Sequence, residues 1–454
     1  MKTSVGFALR KLLLPALCAS ILVPVVAQAE TLTVWWNKGY YPEEDAAIKD
    51  IVHQWEQKTG NKVQLTFYST EDLPTKLTAA VNAGSVPDVA YEDVGDFAQT
   101  PQLAWDGRLT DLSDVVGPAK NLYTKTALLT AHLYNNKDKK RSYYAVPIKQ
   151  QAMHVFYWKS MLAKAGKTEK DIPQQWDGYW KFWEQVQDTL RAKGERVYSL
   201  GLTVSSTGTD NYYLFNQFML SYGAHMVNEQ GKLTVDDPKV RESAIQLITF
   251  LADVYKKGYV PPGAVNWGDS DNNSAFYSHQ IVMTFNASLS IPAGKQGDPK
   301  IYHDIVTMQP PTGLDGKPTP SLVAVKSAIV PVGAKHTKLA KSFLSFLIQP
   351  KELGTYLHAS QGRWLPVMPS IIKADPFWTN PDNPHVPVAV KQEVLEPTEP
   401  WPQALNPAYA FVNSQQVWGR AVGQVLVNGM KPEAAVDQAI TQIKQIFSKY
   451  QIHE

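Results

Sequence analysis

The chain has 454 residues, 44 Lys and Arg against 42 Asp and Glu, and 44% hydrophobic residues, enough for two or more domains with cores of their own. This balance, with no basic tract beyond the small cluster 137–141, excludes the electrostatic footprint of a nucleic-acid binder. The only cysteine, Cys18, lies in the N-terminal leader, which excludes disulfides and cysteine-held metal in the remainder.

Residues 1–29 read as a signal peptide. Lys2, Arg10 and Lys11 make a basic start, 12–26 is apolar, and Ala27-Gln28-Ala29 is a small-x-small cleavage site. A membrane span wants ~20 apolar residues; this run is shorter and carries Pro15 and Pro24. Leu17 is too large for lipoprotein processing at Cys18, so Glu30 is the expected mature N-terminus. The expected compartment is the periplasm of a Gram-negative cell.

The stretch 31–91 reads strand, helix, strand, helix, strand. Residues 31–36 are β-branched and aromatic, as strands prefer. Over 45–59, Ile48, Ile51, Val52 and Trp55 share one helical face, and Gly60 supplies a left-handed C-cap. Residues 63–68 alternate as a strand. Leu73, Leu77, Ala80 and Val81 mark a helix over 73–83, stopped by Gly84, and 87–91 begins a third strand. Such alternation implies a parallel sheet, whose ligands bind beyond the carboxyl ends of its strands. Those places are 37–41 and 92–96.

Further on, 109–116 reads as a loop entering a short helix, and 135–141 as a surface turn. Residues 143–158 read as extended, an edge or crossing segment because Pro147 is inside it. Helices are expected at 159–165, 176–193, 212–222, 339–348, 414–427 and 433–448. A further helix starts at Asp237-Pro238, with Asp as N-cap and Pro at the first position. Strands are expected at 198–204, 280–285, 305–309 and 324–331. The proline-rich stretch 366–407 reads as mostly irregular.

Six segments then carry a resemblance. They are V-W-W-N-K-G-Y (34–40), W-E-Q-K-T-G-N-K-V (55–63), K-L-T-A-A-V-N-A-G-S-V-P-D-V (76–89), Y-A-V-P with V-F-Y-W-K (144–159), A-K-S-F-L-S-F-L-I-Q-P (340–350) and G-R-W-L-P-V (362–367). In this order the chain resembles the extracellular solute-binding proteins of ABC sugar importers, the group that includes maltose-binding protein. The resemblance implies a two-lobed α/β fold of the periplasmic-binding-protein type, each lobe a mainly parallel sheet flanked by helices, with a ligand cleft at the hinge. It implies a first lobe from 30–145 and 311–365 and a second from 146–310 and 366–454, with crossings near 144–151, 310 and 366. It also implies a carbohydrate ligand, an inner-membrane permease with its ATPase as partners, no cofactor, a monomer, and no catalysis.

A neutral sugar site wants aromatic faces for the pyranose ring and planar polar groups for its hydroxyls. Trp36, Lys38 and Tyr40 surround the first ligand loop, and only one of Trp35 and Trp36 should reach a ligand, Trp36 being favoured. Glu92 and Asp93 end the third strand. Gln151 stands where the family tends to carry a glutamate, a departure that argues against copying maltose as the ligand. Asp210 and Tyr212 start a helix, Asp210 as plain N-cap or as ligand contact. Trp267 and Asp269 sit on a Gly/Asn/Asp loop without core periodicity. Asn286 follows a strand, with Leu289 near a position where the family has an aromatic. Arg363, Trp364 and Trp418 complete the set, with core packing as the alternative for Trp418.

The scattered histidines have no metal-ligand spacing, and no G-x-S-x-G nucleophile motif is present. Three other readings stand beside the sugar receptor. An anionic solute, a sugar acid or a glycerol-phosphate-like compound, would use Arg363 or Lys38. A secreted glycosidase would need two facing carboxylates among Glu92, Asp93 and Asp269. A polyamine receptor would want several acids and few bases in its cleft.

Overall fold

The structure is a computed structural model that describes residues 1–4, 6, 29–97, 99–206 and 208–453. The expected leader lies almost wholly outside them. The strands are β1 (Thr31–Asn37), β2 (Lys62–Tyr68), β3 (Val89–Tyr91), β4 (His132–Asn135), β5 (Lys140–Tyr143), β6 (Val146–Gln151) and β7 (His154–Trp158). They continue with β8 (Tyr198–Gly201), β9 (Ile281–Asn286), β10 (Ile305–Met308), β11 (Ser321–Ile329), β12 (Leu365–Pro366) and β13 (Thr398–Pro400).

Two lobes are built on two sheets. The first sheet runs β12-β6-β11-β3-β1-β2 with β13 beside β11; the second runs β10-β7-β9-β8. β1 lies parallel to β2 and β3, with Val34 opposite both Leu65 and Val89. The intervening helix, Pro42–Thr59, begins with Pro42 and ends at Gly60, whose φ of 74° is left-handed. It buries Ile48, Ile51, Val52 and Trp55, the face its spacing predicts. The parallel sheet of this opening unit becomes mixed where the chain re-enters from the other lobe. β11 runs antiparallel to β3, and β6 antiparallel to β11. The second sheet likewise joins the parallel pair β8–β9 to antiparallel β7 and β10.

Several expectations are corrected. Pro147 lies inside β6 with strands on both sides, tolerated because the register slips opposite it, between Lys326 and Ser327. The stretch 366–407 is not irregular: it holds short helices Pro369–Ala374, Val386–Val390 and Pro402–Leu405, each with proline in its first two positions. There proline costs no helical hydrogen bond. β13, from a stretch expected in the second lobe, joins the first sheet instead. The helix expected over 414–427 is present as Val417–Leu426, starting after Gln416 with φ of 50°, and a separate helix, Ala408–Ser414, precedes it.

The chain passes between the sheets twice, through Ala152-Met153 from β6 to β7 and through 309–320 from β10 to β11. One buried group ties both passages to the segment between β12 and β13, two strands of the first sheet. The Gln392 amide donates to the Met153 carbonyl (2.8 Å) and the Ser321 hydroxyl (3.0 Å). His154 meets Gln392 Oε1 through Nδ1 (2.8 Å) and Glu393 Oε1 through Nε2 (2.7 Å). Gln150 donates to the Glu393 carbonyl (2.8 Å). Gln392 and Glu393 lie on a widened turn, Lys391–Leu395, a geometry often found at functional points of helices.

His154 and Glu393 are 0% and 1% exposed, so removing one partner strands the other away from water. Glu393→Leu should cost about 3 kcal/mol or more in urea unfolding. A cost below about 1 kcal/mol, the worth of a surface pair, would contradict the role given to this contact.

Candidate ligand-binding site between the lobes

The first lobe presents the carboxyl ends of β1 and β3 to the seam. Asn37, the last residue of β1, donates to the Thr70 hydroxyl (3.1 Å) and reaches Asp93 Oδ2 at 3.4 Å. Behind this edge two lysines rise from mid-strand, each almost fully buried. Lys149 of β6 has Nζ 3.1 Å from Asp93, 3.5 Å from Glu44 and 4.1 Å above the Trp364 ring. Lys326 of β11 has Nζ 2.8 Å from Asp96 and 4.2 Å from the Phe97 ring. A buried ammonium is tolerated only with such partners. Glu92 beside them has no cation: burial, then the charge of Asp96, pushes its carboxyl up to about 8.

The second lobe answers with the start of helix Thr209–Ser221 and the loop before helix Asp271–Tyr277. The Asp269 carboxylate accepts from the Thr209 backbone N–H, and Asn272 donates to Asp210 Oδ2 at 3.0 Å. Burial, then Asp269, pushes Asp210 up to about 7, against the lowering effect of Asn272. Tyr212 and Tyr213 stack with ring centres 5.1 Å apart, and Trp401 stands edge-on to Tyr213 at 4.6 Å. Phe97 of the first lobe meets both tyrosines, at 5.9 and 5.4 Å. Gln151 reaches the Tyr213 hydroxyl at 3.3 Å.

Around these rings polar atoms are shut from water without a hydrogen-bond partner among the described residues. They are Glu92 Oε1, Asn211 Oδ1, Trp401 Nε1, Gln403 Nε2, Asn413 Oδ1 and Gln416 Oε1. Asn413 touches Gln403 at 3.3 Å, and Gln403 and Trp401 share a small cavity with Asp96 and Thr100 of the first lobe. Asn211 and Gln416 crowd Gly419, where any Cβ would fall 2.6 Å from the Asn211 amide. Native proteins leave few buried groups unmade. Glu92, Trp401 and Gln403 stand where the lobes meet, with Asn413 bonded to Gln403 and with Asn211 and Gln416 deeper in the second lobe, a set that suits a ligand with many hydroxyls.

At the other end the lobes are latched. The Tyr41 hydroxyl is 3.2 Å from Gln296 Oε1 and 3.4 Å from the Ala293 carbonyl, and Gln296 donates to the Gln361 carbonyl at 3.2 Å. Arg363 lies beside this latch, its guanidinium carbon 4.3 Å above the Tyr40 ring and 5.2 Å from Trp364.

The residues singled out in the sequence divide accordingly. Glu92, Gln151, Asp210, Tyr212 and Asp269 gather at the aromatic end; Tyr40, Asp93, Arg363 and Trp364 gather toward the latch. Trp36 is corrected: it is fully buried, stacked on Tyr91 at 4.2 Å, with its N–H on the Tyr356 hydroxyl. Trp35, on the opposite face, is only partly covered. Trp418 packs in the second lobe's core, 4.7 Å from Phe215. Asp210 is not the N-cap, which is Gly208. Trp267 is 9% exposed and helps pack its loop, and Lys38 stands in solvent. Asn286 is engaged with Asn273 and Ser290. Sequence reasoning missed Lys149, Lys326, Tyr213, Trp401, Gln403 and Asn413. Of these only the lysines, set in apolar strands, carried a signal.

Glu92 and Asp210 hold their protons more tightly folded than unfolded. Their contribution to stability is therefore complete below the ordinary carboxylate range. It fades as pH rises through about 7 for Asp210 and about 8 for Glu92. The melting temperature should fall between about pH 5 and about pH 9, and Asp210→Asn and Glu92→Gln should each flatten that fall. An unchanged slope in both variants would refute the assignment.

The comparisons with known proteins agree with this architecture. The family model described as bacterial extracellular solute-binding protein matches residues 50–385. The chain is 25% identical over 329 residues to the multiple sugar-binding protein of Streptococcus mutans, covering 69% of this chain and 70% of the relative. It is 22% identical over 361 residues to the arabinooligosaccharide-binding protein of Halalkalibacterium halodurans, covering 76% and 74%. Among solved structures, the cyclic alpha-maltosyl-1,6-maltose binding protein of Arthrobacter globiformis superposes with a TM-score of 0.75 at 18% identity, over 92% of this chain and 99% of that one. A solute-binding protein of Thermotoga lettingae bound with alpha-D-tagatose gives 0.71 at 20% identity, over 92% and 100%. No helix among the described residues is long and apolar enough to cross a membrane. With the model matched over most of its length, this chain belongs to the family of bacterial extracellular solute-binding proteins.

Proposed function

We propose that the protein is the periplasmic receptor of an ABC importer, closing its lobes on a carbohydrate and presenting it to a membrane permease and its ATPase. The carrying observation is the seam at Tyr212, Tyr213 and Trp401, where stacked rings adjoin six unpartnered buried polar atoms. Aromatic faces suit the apolar side of a pyranose, and amides and carboxyls suit its hydroxyls. The sugar-binding names of the relatives support the same reading. Closure is a hinge motion about the passages between the lobes, with 30–145 and 311–365 on one side of the cleft and most of the remainder on the other. The ligand leaves unchanged; the fold supplies recognition and motion.

The test is a thermal-shift and calorimetric screen of the purified protein against mono- and oligosaccharides. A ligand that binds only the folded state raises the melting temperature, by about 2.7 kcal/mol of stabilisation at 100 times its Kd. Tyr212→Ala should weaken that ligand about tenfold, the loss of one stacking face. If no saccharide shifts the melting temperature, the carbohydrate reading fails.

A further inference from the structure

Arg363 is a partly buried cation of the seam that no carboxylate among the described residues holds. The buried lysines are both matched, Lys149 by Glu44 and Asp93, and Lys326 by Asp96. Arg363 forms no ion pair within 4.0 Å among the described residues. Its Nε and Nη1 are shut from water and have no hydrogen-bond partner among them. The acids near it are engaged elsewhere. Glu44 Oε1 accepts from the backbone amides of Tyr40 (2.9 Å) and Tyr41 (3.1 Å), and Asp45 accepts from Gly39 (2.8 Å).

The guanidinium is nonetheless held in place. It lies flat-side toward Tyr40, close to Trp364, and on the rim of a small cavity shared with Pro292, Ala293, Gln296 and Gly362. Across the seam Lys295 sits 4.3 Å above the Tyr277 ring, and the Lys38 side chain stands in solvent on the loop before Tyr40. At this end of the seam the acids Glu44, Asp45 and Asp93 are taken up by backbone amides or by Lys149, and Arg363, Lys38 and Lys295 are left without a carboxylate among the described residues. A guanidinium edge, Nη2 with either Nε or Nη1, matches a planar carboxylate with two parallel bonds. A neutral diol would bond its N–H groups but bring no counter-charge.

We propose that Arg363 is an anion subsite and that the transported carbohydrate is acidic, its carboxylate gripped at the latch while its ring lies toward Tyr212 and Tyr213. This rests on the carbohydrate reading and narrows it to uronic acids and their oligomers. The Tyr41–Gln296–Gln361 latch lies beside the subsite, so the carboxylate is seated where the lobes meet.

The experiment pairs each uronic acid with its neutral counterpart: glucuronate with glucose, galacturonate with galactose, mannuronate with mannose, as monomers and disaccharides. Titration calorimetry is run on the wild type, Arg363→Gln and Arg363→Lys, with circular dichroism to verify folding. The expected result is a preference of about tenfold or more for one acidic member, abolished in Arg363→Gln, partly kept in Arg363→Lys, and reduced by salt. Binding of a neutral sugar equal to or tighter than its acid, or an acid preference that survives Arg363→Gln, overturns the subsite and leaves the carbohydrate reading standing. Silence toward both series overturns both. Should Arg363→Gln misfold, Arg363→Lys with the salt dependence of the wild type decides.

Discussion

The contact between the His154 imidazole and the Glu393 carboxylate, 2.7 Å long and sealed from water, sits where the chain passes from lobe to lobe. A two-lobed receptor has to bend at such a place without letting solvent in. Apolar packing alone would resist shear in proportion to the area displaced. A few directional bonds fix a pivot point and leave the surrounding backbone free to turn. Gln392, on the turn Lys391–Leu395, bonds both Met153 and Ser321, so the two passages rotate about one group rather than two. Separating the pair would expose each member to a site without water, which makes the pivot costly to break but not to twist.

The walls of the cleft follow from the same rule about buried charge. Each deep lysine has its carboxylate, so the first lobe's wall carries no large net field at its centre. The acids left over, Glu92 and Asp210, respond by retaining protons, and a protonated carboxyl donates as well as accepts. The aromatic end of the seam is thus close to neutral and rich in directional groups. Buried polar atoms without partners cost about 1–3 kcal/mol each. A fold that keeps Asn211, Gln403, Asn413 and Gln416 this way in one neighbourhood has reserved them for something outside itself.

What the sequence revealed was local. The faces Ile48-Ile51-Val52-Trp55 and Leu73-Leu77-Ala80-Val81 are written within a few turns of helix, and the opening strand–helix–strand unit follows from them. The motifs that carry the family resemblance are equally local, and they brought the two-lobed fold with them. The site is not local. Alternation along β1 puts Trp35 and Trp36 on opposite faces, but which face a helix covers is decided by Tyr356, 320 residues later. Lys326 meets an aspartate 230 residues before it, and His154 a glutamate 239 residues after it. The proline-rich stretch hid Gln403 because its short helices start on proline and lack a full apolar period. Glu92 and Asp210 were legible as candidates, since each lies at the end of an element; their altered acidity was not, because it comes from burial and from the nearby carboxylates of Asp96 and Asp269.

The two ends of the seam are built from different chemistry, and that asymmetry gives a direction. Stacked rings and amides line one end, and a guanidinium held over Tyr40 beside the Tyr41–Gln296 latch lines the other. Rings tolerate rotation of a flat ligand about their normal; a fork of N–H groups does not. A ligand anchored at the fork is fixed in orientation before the rings close on it. The hydrogen bonds that shut the cleft lie at the fork's end, so orientation and closure depend on the same few residues. A ligand that fills only the aromatic end satisfies the amides and leaves the latch without help. On the proposed reading, specificity is exercised through the closed state: a solute that touches only the rings leaves the lobes unlatched, and one that also answers Arg363 holds them together.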